Sequence, residues 1–171
     1  QGSDVLYLCH VSAQRSIRLQ ANTGTRYPGL ATSTGRCILS GWRDPELREF
    51  LEDNPVPAFT DKTETSQDVL FETIRAVEKE GYATISDELD YGITSLAVPV
   101  IMPGRGVVGA VNSSAQTQRI DLTTFAEERK SLVAQAASDI AHILNSAPDL
   151  LDVLSSTGSR CVAISTVGWF K

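Results

Sequence analysis

The residues best placed to do chemistry lie between Arg26 and Gly41, in the run RYPGLATSTGRCILSG. Tyr27-Pro28 dictates an extended entry, because the residue before a proline is pushed out of the helical region. Thr32, Ser33, Thr34 and Gly35 then open a short apolar helix. The first amides of a helix have no partner within it and sit at the positive end of its dipole. They can hold a carboxylate or phosphate, and a carboxylate there gains about 0.3–2 kcal/mol from the dipole. Ser and Thr also favour this position simply as caps. The residues alone leave a capped helix and a small-anion receptor both open.

Other reactive side chains are scattered. The two histidines are His10 and His142, and no GxSxG, HExxH or P-loop lysine motif accompanies them. Cys9 and His10 are adjacent within a strand pattern, where neighbours point to opposite faces, so they do not converge as a thiol–imidazole pair. His10 reads as a structural residue. His142, near the end of the longest helix, reads as a cap on its carbonyls or as solvent-facing. Asp87, Glu88 and Asp90 form an acidic loop of the kind that draws hard cations. Their spacing is not that of a calcium loop, and a solvated connection fits better. Cys37, inside the short apolar helix, reads as packing. No metal or cofactor is implied.

Composition narrows the partners. A chain of 171 residues with 42% apolar content fits one compact domain. Fifteen basic against 21 acidic residues give a formal net charge of −6, which repels bare DNA and anionic membranes. Cys9, Cys37 and Cys161 lie far apart without a CxxC pair, as expected of reduced thiols in the cytoplasm. No apolar run approaches the ~20 residues needed to span a bilayer. The first residue is Gln1 rather than methionine, as in a fragment of a longer protein.

The elements that must position these residues follow from periodicity. Residues 5–11 are rich in β-formers, and 15–20 alternate with Ile17 and Leu19 on one face and Arg18 on the other, predicting a hairpin. Asp44-Pro45 starts a helix carrying Leu47, Phe50 and Leu51 on one stripe. A proline-rich connection, 54–65, leads to Ser66, which caps a helix with Leu70, Ile74 and Val77 at helical spacing and Gly81 as its stop. A short strand at 82–86 precedes the acidic loop. Residues 94–101 and 106–113 form two strands around the turn Met102-Pro103-Gly104-Arg105. Asp121 caps the longest helix, and residues 160–167 again read as a strand. Without regular βαβ alternation, the order predicts an α+β fold in which helices cover an antiparallel sheet.

Several of these segments resemble a family. Arg26-Tyr27-Pro28, Ala31-Thr32-Ser33, Gly35-Arg36, Asp61-Lys62-Thr63, Glu80-Gly81-Tyr82-Ala83, the run 87–100 and the run 108–114 are similar to the effector-binding half of IclR-type transcriptional regulators. The match is ordered and spans about residues 4–145. The Leu-Ala-Thr-Ser-Thr-Gly opening and the Val-Asn-Ser-Ser segment look most like the branch controlling aromatic-acid catabolism. The resemblance implies a GAF/profilin-like sensor domain at 1–147, a C-terminal extension at 148–171, and a homodimer or homotetramer. It implies a small carboxylate effector, preferably aromatic, and contact with DNA only through a separate N-terminal winged helix-turn-helix. That domain, and the helix and strand that begin the sensor domain in the family, are expected to precede Gln1.

Carried over by position, Ser33, Thr34 and Gly35 would offer amides to the effector. Ser95 falls at a ligand-contacting polar position, and Asn112 and Ser114 match two more on the last strand of the hairpin. Ile85 stands where some members have a ligand-contacting Asp, which makes the pocket less polar and suits an aromatic acid. Arg18 is a candidate counter-charge. The strand at 160–167 is not part of the family pattern and is expected to take a vacated sheet edge, in its own subunit or a neighbour's. Two other readings compete: an enzyme processing a small acid through Cys9 or Cys37, and a purely oligomerising module.

Overall fold

The computed structural model describes residues 3–12, 22–147 and 162–167, the last six as backbone only. A six-stranded sheet runs through it, built from β1 (Asp4–Ser12), β2 (Arg26–Pro28), β3 (Ala83–Ser86), β4 (Ile93–Met102), β5 (Gly106–Gln116) and β6 (Val162–Val167). The strand order is β2-β1-β6-β5-β4-β3. Pairs β3–β4 and β4–β5 are antiparallel, as expected, and β1 pairs antiparallel with β2, a strand the sequence pattern did not predict. β6 runs parallel to both its neighbours, β1 and β5. The C-terminal strand therefore does not take an edge. It fills the middle of the sheet, where both of its neighbours had an open ladder of amides and carbonyls to satisfy. The expected strand at 15–20, with Arg18, lies outside the described residues.

The helices are α1 (Ser33–Leu39), α2 (Asp44–Asp53), α3 (Gln67–Glu80) and α4 (Leu122–Ser146). Their ends follow local chemistry. Ser66 Oγ accepts from the Val69 amide, Asp121 Oδ1 accepts from the Thr124 amide at 3.0 Å, and Gly81 stops α3 at φ +80°. Arg43, one residue before the expected Asp44, is the cap of α2.

Alternation along the strands sorts the core into layers. Ala83, Ala97 and Ala110 point to one face with Val5 and Tyr7, against Cys37, Ile38 and Val77. Leu96, Val98, Val100 and Val111 point to the other, against Phe125, Val133 and Ala137 of α4. A third cluster, with Leu39, Leu47, Leu51, Leu70 and Ile74, seats α2 and α3 over α1. All seven residues of α1 are consequently buried, sandwiched between the sheet and the outer helices. Small alanines on the sheet face allow that close approach.

Candidate functional site

The site is built where α1 opens against the sheet. Thr32 is the cap: its Oγ1 accepts from the Gly35 amide at 3.1 Å and donates to the Gly29 carbonyl at 3.0 Å. A Cβ on Gly35 would meet that same carbonyl oxygen at 2.2 Å, so the position admits only glycine without backbone movement. The Gly35 amide is thus engaged by the cap, and its residue type serves packing. Thr34, fully buried, has its hydroxyl 3.3 Å from the hydroxyl of Tyr7. Burial, the dominant effect, raises the Tyr7 pKa and keeps the phenol neutral.

Ser33 reaches the sheet. Its Oγ lies 2.9 Å from Ser95 Oγ on β4. Asn112 Nδ2 on β5 donates to Ser95 Oγ at 3.2 Å and to Ser114 Oγ at 3.1 Å, and Ser114 Oγ donates to Ser95 Oγ at 3.1 Å. Ser95 and Asn112 are only 5% and 3% exposed. Register explains the convergence. Ser95 pairs with Ile85 on one side and with Ser114 on the other, so the three side chains form one row across β3, β4 and β5. Ile85, itself buried, supplies an apolar wall beside three hydroxyls and an amide. Ser33, Ile85, Ser95, Asn112 and Ser114 are therefore brought together, although up to 81 positions separate them in sequence.

Every side chain of this cluster is neutral, and each hydroxyl can rotate to donate or accept. Such a group can satisfy a small polar ligand without bringing a fixed charge. Buried polar atoms this numerous in an α/β interface cost stability unless each finds a partner.

The acidic loop is an ion-paired anchor rather than a solvated connection. Arg36, 3% exposed, grips Glu88 with both terminal guanidinium nitrogens, Nη1 to Oε1 at 2.9 Å, while its Nε donates to the Leu30 carbonyl. Asp87 Oδ2 accepts from Lys62 Nζ at 2.9 Å, and its Oδ1 accepts from the Gly92 amide and the Thr117 hydroxyl. Burial alone would raise the Asp87 carboxyl, but those hydrogen bonds outweigh it and hold the group below the usual carboxylate range. Thr60 and Thr63 bond the loop's carbonyls from the proline-rich connection. The loop thus ties α1 to the segment before α3. Local sequence gave no sign of this, because the cationic partners Lys62 and Arg36 lie 25 and 52 positions upstream of Asp87 and Glu88.

Cys37 is not poised for catalysis. Burial pushes its thiol up to about 12, and Sγ donates to the Ala97 carbonyl at 3.2 Å. Cys9 lies exposed on β1. His142 Nδ1 is 2.8 Å from the Ser138 carbonyl on its own helix. It borders a cavity of about 360 Å³ between α4 and β4, lined largely by Val98, Ile101, Ala134 and Ala141. That cavity is on the far face of the sheet from Ser95 and shares no residue with the polar cluster.

The fold and its buried cluster define an α+β domain of the sensor type, in which a helix opening and a strand row enclose a polar focus. The family model for the bacterial transcriptional regulator IclR C-terminal region matches residues 1–142, and the chain belongs to that family. It is 30% identical over 145 residues to the Pca regulon regulatory protein of Pseudomonas putida, covering 84% of this chain and 50% of that protein. A crystal structure of a transcriptional regulator from Rhodococcus sp. RHA1 superposes with a TM-score of 0.80 at 32% identity, covering 85% of this chain and 59% of the other. The inducer-binding domain of the PobR transcription factor from Acinetobacter, a double mutant in complex with 3-hydroxybenzoic acid, gives a TM-score of 0.67 at 26% identity, with 75% of each chain covered. The chain spans about half the length of the curated relatives it matches. Those relatives are transcriptional regulators, not enzymes.

Proposed function

We propose that this domain senses a small aromatic carboxylate and passes its occupancy to a separate DNA-binding domain. The observation that carries this reading is the buried, uncharged cluster of Ser33, Ser95, Asn112 and Ser114 beside Ile85. Its hydroxyl and amide donors suit a carboxylate, and the isoleucine suits a ring. Ser33 and Thr34 stand at the opening of α1, where the helix dipole adds to the attraction. The kinship with a Pca regulon regulator and with an inducer domain holding 3-hydroxybenzoic acid supports the choice of an aromatic acid.

In this account Gly35 acts through packing, not contact. DNA is held by a winged helix-turn-helix outside these 171 residues, since a domain of net charge −6 repels the backbone of a duplex. The sensor works as a homodimer or homotetramer in the cytoplasm. No helix among the described residues is long and apolar enough to cross a membrane. Effector binding then biases two arrangements of the regulator by a coupling of about 1–3 kcal/mol, felt equally by effector and operator.

Thermal melting with added ligand tests the reading. At a hundredfold excess over the dissociation constant, an effector raises the melting temperature by about 5–10 °C. Protocatechuate, 3-hydroxybenzoate or 4-hydroxybenzoate should give such a shift, and phenol should not. No shift with any aromatic acid would leave an oligomerising module as the better description.

A further inference from the structure

His10 carries a signal that the cluster does not explain. Val5 and Tyr7 face α1, so simple alternation along β1 would place Cys9 on that face and His10 on the opposite one. The register between β1 and β6 shifts between Tyr7 and Cys9, which leaves Leu8 as an extra residue in the strand. Such a bulge re-aims every side chain after it. His10 then pairs with Ser165, and Ser165 pairs with Asn112. His10 therefore shares one row of the sheet, on the α1 face, with the amide of the polar cluster. Cys9 goes to the other face, in line with Val111 and α4's side of the core.

The imidazole is half-buried, and its Nδ1 is shielded from solvent with no hydrogen-bond partner among the described residues. A buried polar atom left in that condition is costly unless something meets it. Desolvation lowers the His10 pKa, so the ring is neutral and presents one donor and one acceptor. That pair of functions suits a hydroxyl better than a carboxylate. His10 and Asn112 are two strands apart, about 9–10 Å at the usual strand spacing. Ser165 stands between them in the row, and a benzene ring bearing polar groups at both ends is long enough to reach past it from one to the other.

We propose that His10 is the second polar pole of the effector site, accepting or donating a hydrogen bond to the ring hydroxyl of a hydroxybenzoate whose carboxylate lies at Ser95, Asn112 and Ser114. This rests on the aromatic-acid reading above and deepens it: the first pole selects a carboxylate, and His10 selects a hydroxylated ring.

Calorimetric titration of the 171-residue chain with benzoate, 3-hydroxybenzoate and 4-hydroxybenzoate, against His10→Leu and His10→Gln variants, tests the proposal. At least one hydroxybenzoate should bind the unaltered chain roughly tenfold more tightly than benzoate. His10→Leu should erase that preference while leaving benzoate affinity within about twofold, and His10→Gln should keep part of it. In the unaltered chain, the imidazole nitrogen resonances should move on adding the preferred hydroxybenzoate and stay in place with benzoate. Equal binding of all three acids, or an equal loss for all three in His10→Leu, would overturn the role of His10 while the carboxylate site stands. No binding of any of the three acids would overturn both.

Discussion

Ser95 is the residue on which the cluster converges, since the hydroxyls of Ser33 and Ser114, the Asn112 amide and the Ser113 carbonyl all meet it. Ser95→Ala removes that centre without adding bulk. It should weaken binding of the preferred hydroxybenzoate at least tenfold by calorimetry and lower stability by about 1–3 kcal/mol, because buried partners lose their acceptor. Unchanged affinity would place the effector elsewhere. Cys37 offers a second check at this scale. With its thiol raised to about 12, it should resist maleimide labelling in a Cys9→Ser, Cys161→Ser background until denaturant unfolds the chain. Rapid labelling of the folded protein would contradict its burial and revive a role in catalysis.

The polar positions of this site were legible in the sequence because each belongs to a recurring motif; the strand register then set Ser95 beside Ser114, with Asn112 in the next row. The proposed role of His10 was not, since alternation predicts the wrong face and a bulge leaves no mark in residue types. The same limit hid Arg36. A buried arginine inside an apolar helix can be understood only with Glu88 in view, and the two are 52 positions apart.

Among the elements, the loop between β3 and β4 decides how firmly α1 is seated. Composition suggested a solvated acidic stretch, whereas Asp87 and Glu88 each carry a cationic partner and threonine hydroxyls hold the intervening carbonyls. The folded-state pKa of Asp87 is below its ordinary value of 3.8. Its contribution is therefore complete above that value and is lost as pH falls through the lower, folded-state pKa. Asp87→Asn suits the test, because Asn tolerates the left-handed φ of +60° found there. Urea unfolding should show the variant less stable at pH 7, with the gap closing as the pH is lowered through 3.8 and below. A gap that stays constant over that range would mean the carboxylate charge plays no part in anchoring the loop.

Helices and the β4–β5 hairpin were readable from periodicity, caps and turn residues, because those signals are local. The place of the last strand was not. Pairing between residues more than a hundred positions apart depends on which sheet edges stay open, and no local pattern encodes that.

For the whole molecule, β6 is the joint of the sheet. It alone links the β1–β2 pair to β5 in the strand order, and it lies beyond the residues matched by the family model. A chain ending at residue 147 should expose two unpaired strand edges in mid-sheet. Its melting temperature should fall by about 10 °C, as expected for losing several ladder hydrogen bonds. Light scattering should show association that grows with concentration. A shortened chain with unchanged melting and a sharp monomodal size would show that the sheet closes without β6. On the proposed reading, the layered arrangement lets one helix serve both stability and sensing. α1 is pressed between sheet and outer helices, so a ligand at its opening acts on the most enclosed element of the fold.

The most direct measurement is a crystal structure of the chain grown with 4-hydroxybenzoate or 3-hydroxybenzoate. The account predicts a carboxylate within hydrogen-bonding distance of Ser95, Asn112 and Ser114, with the ring against Ile85. Full occupancy at any other place, with the hydrogen bonds among Ser33, Ser95, Asn112 and Ser114 unchanged, would contradict it.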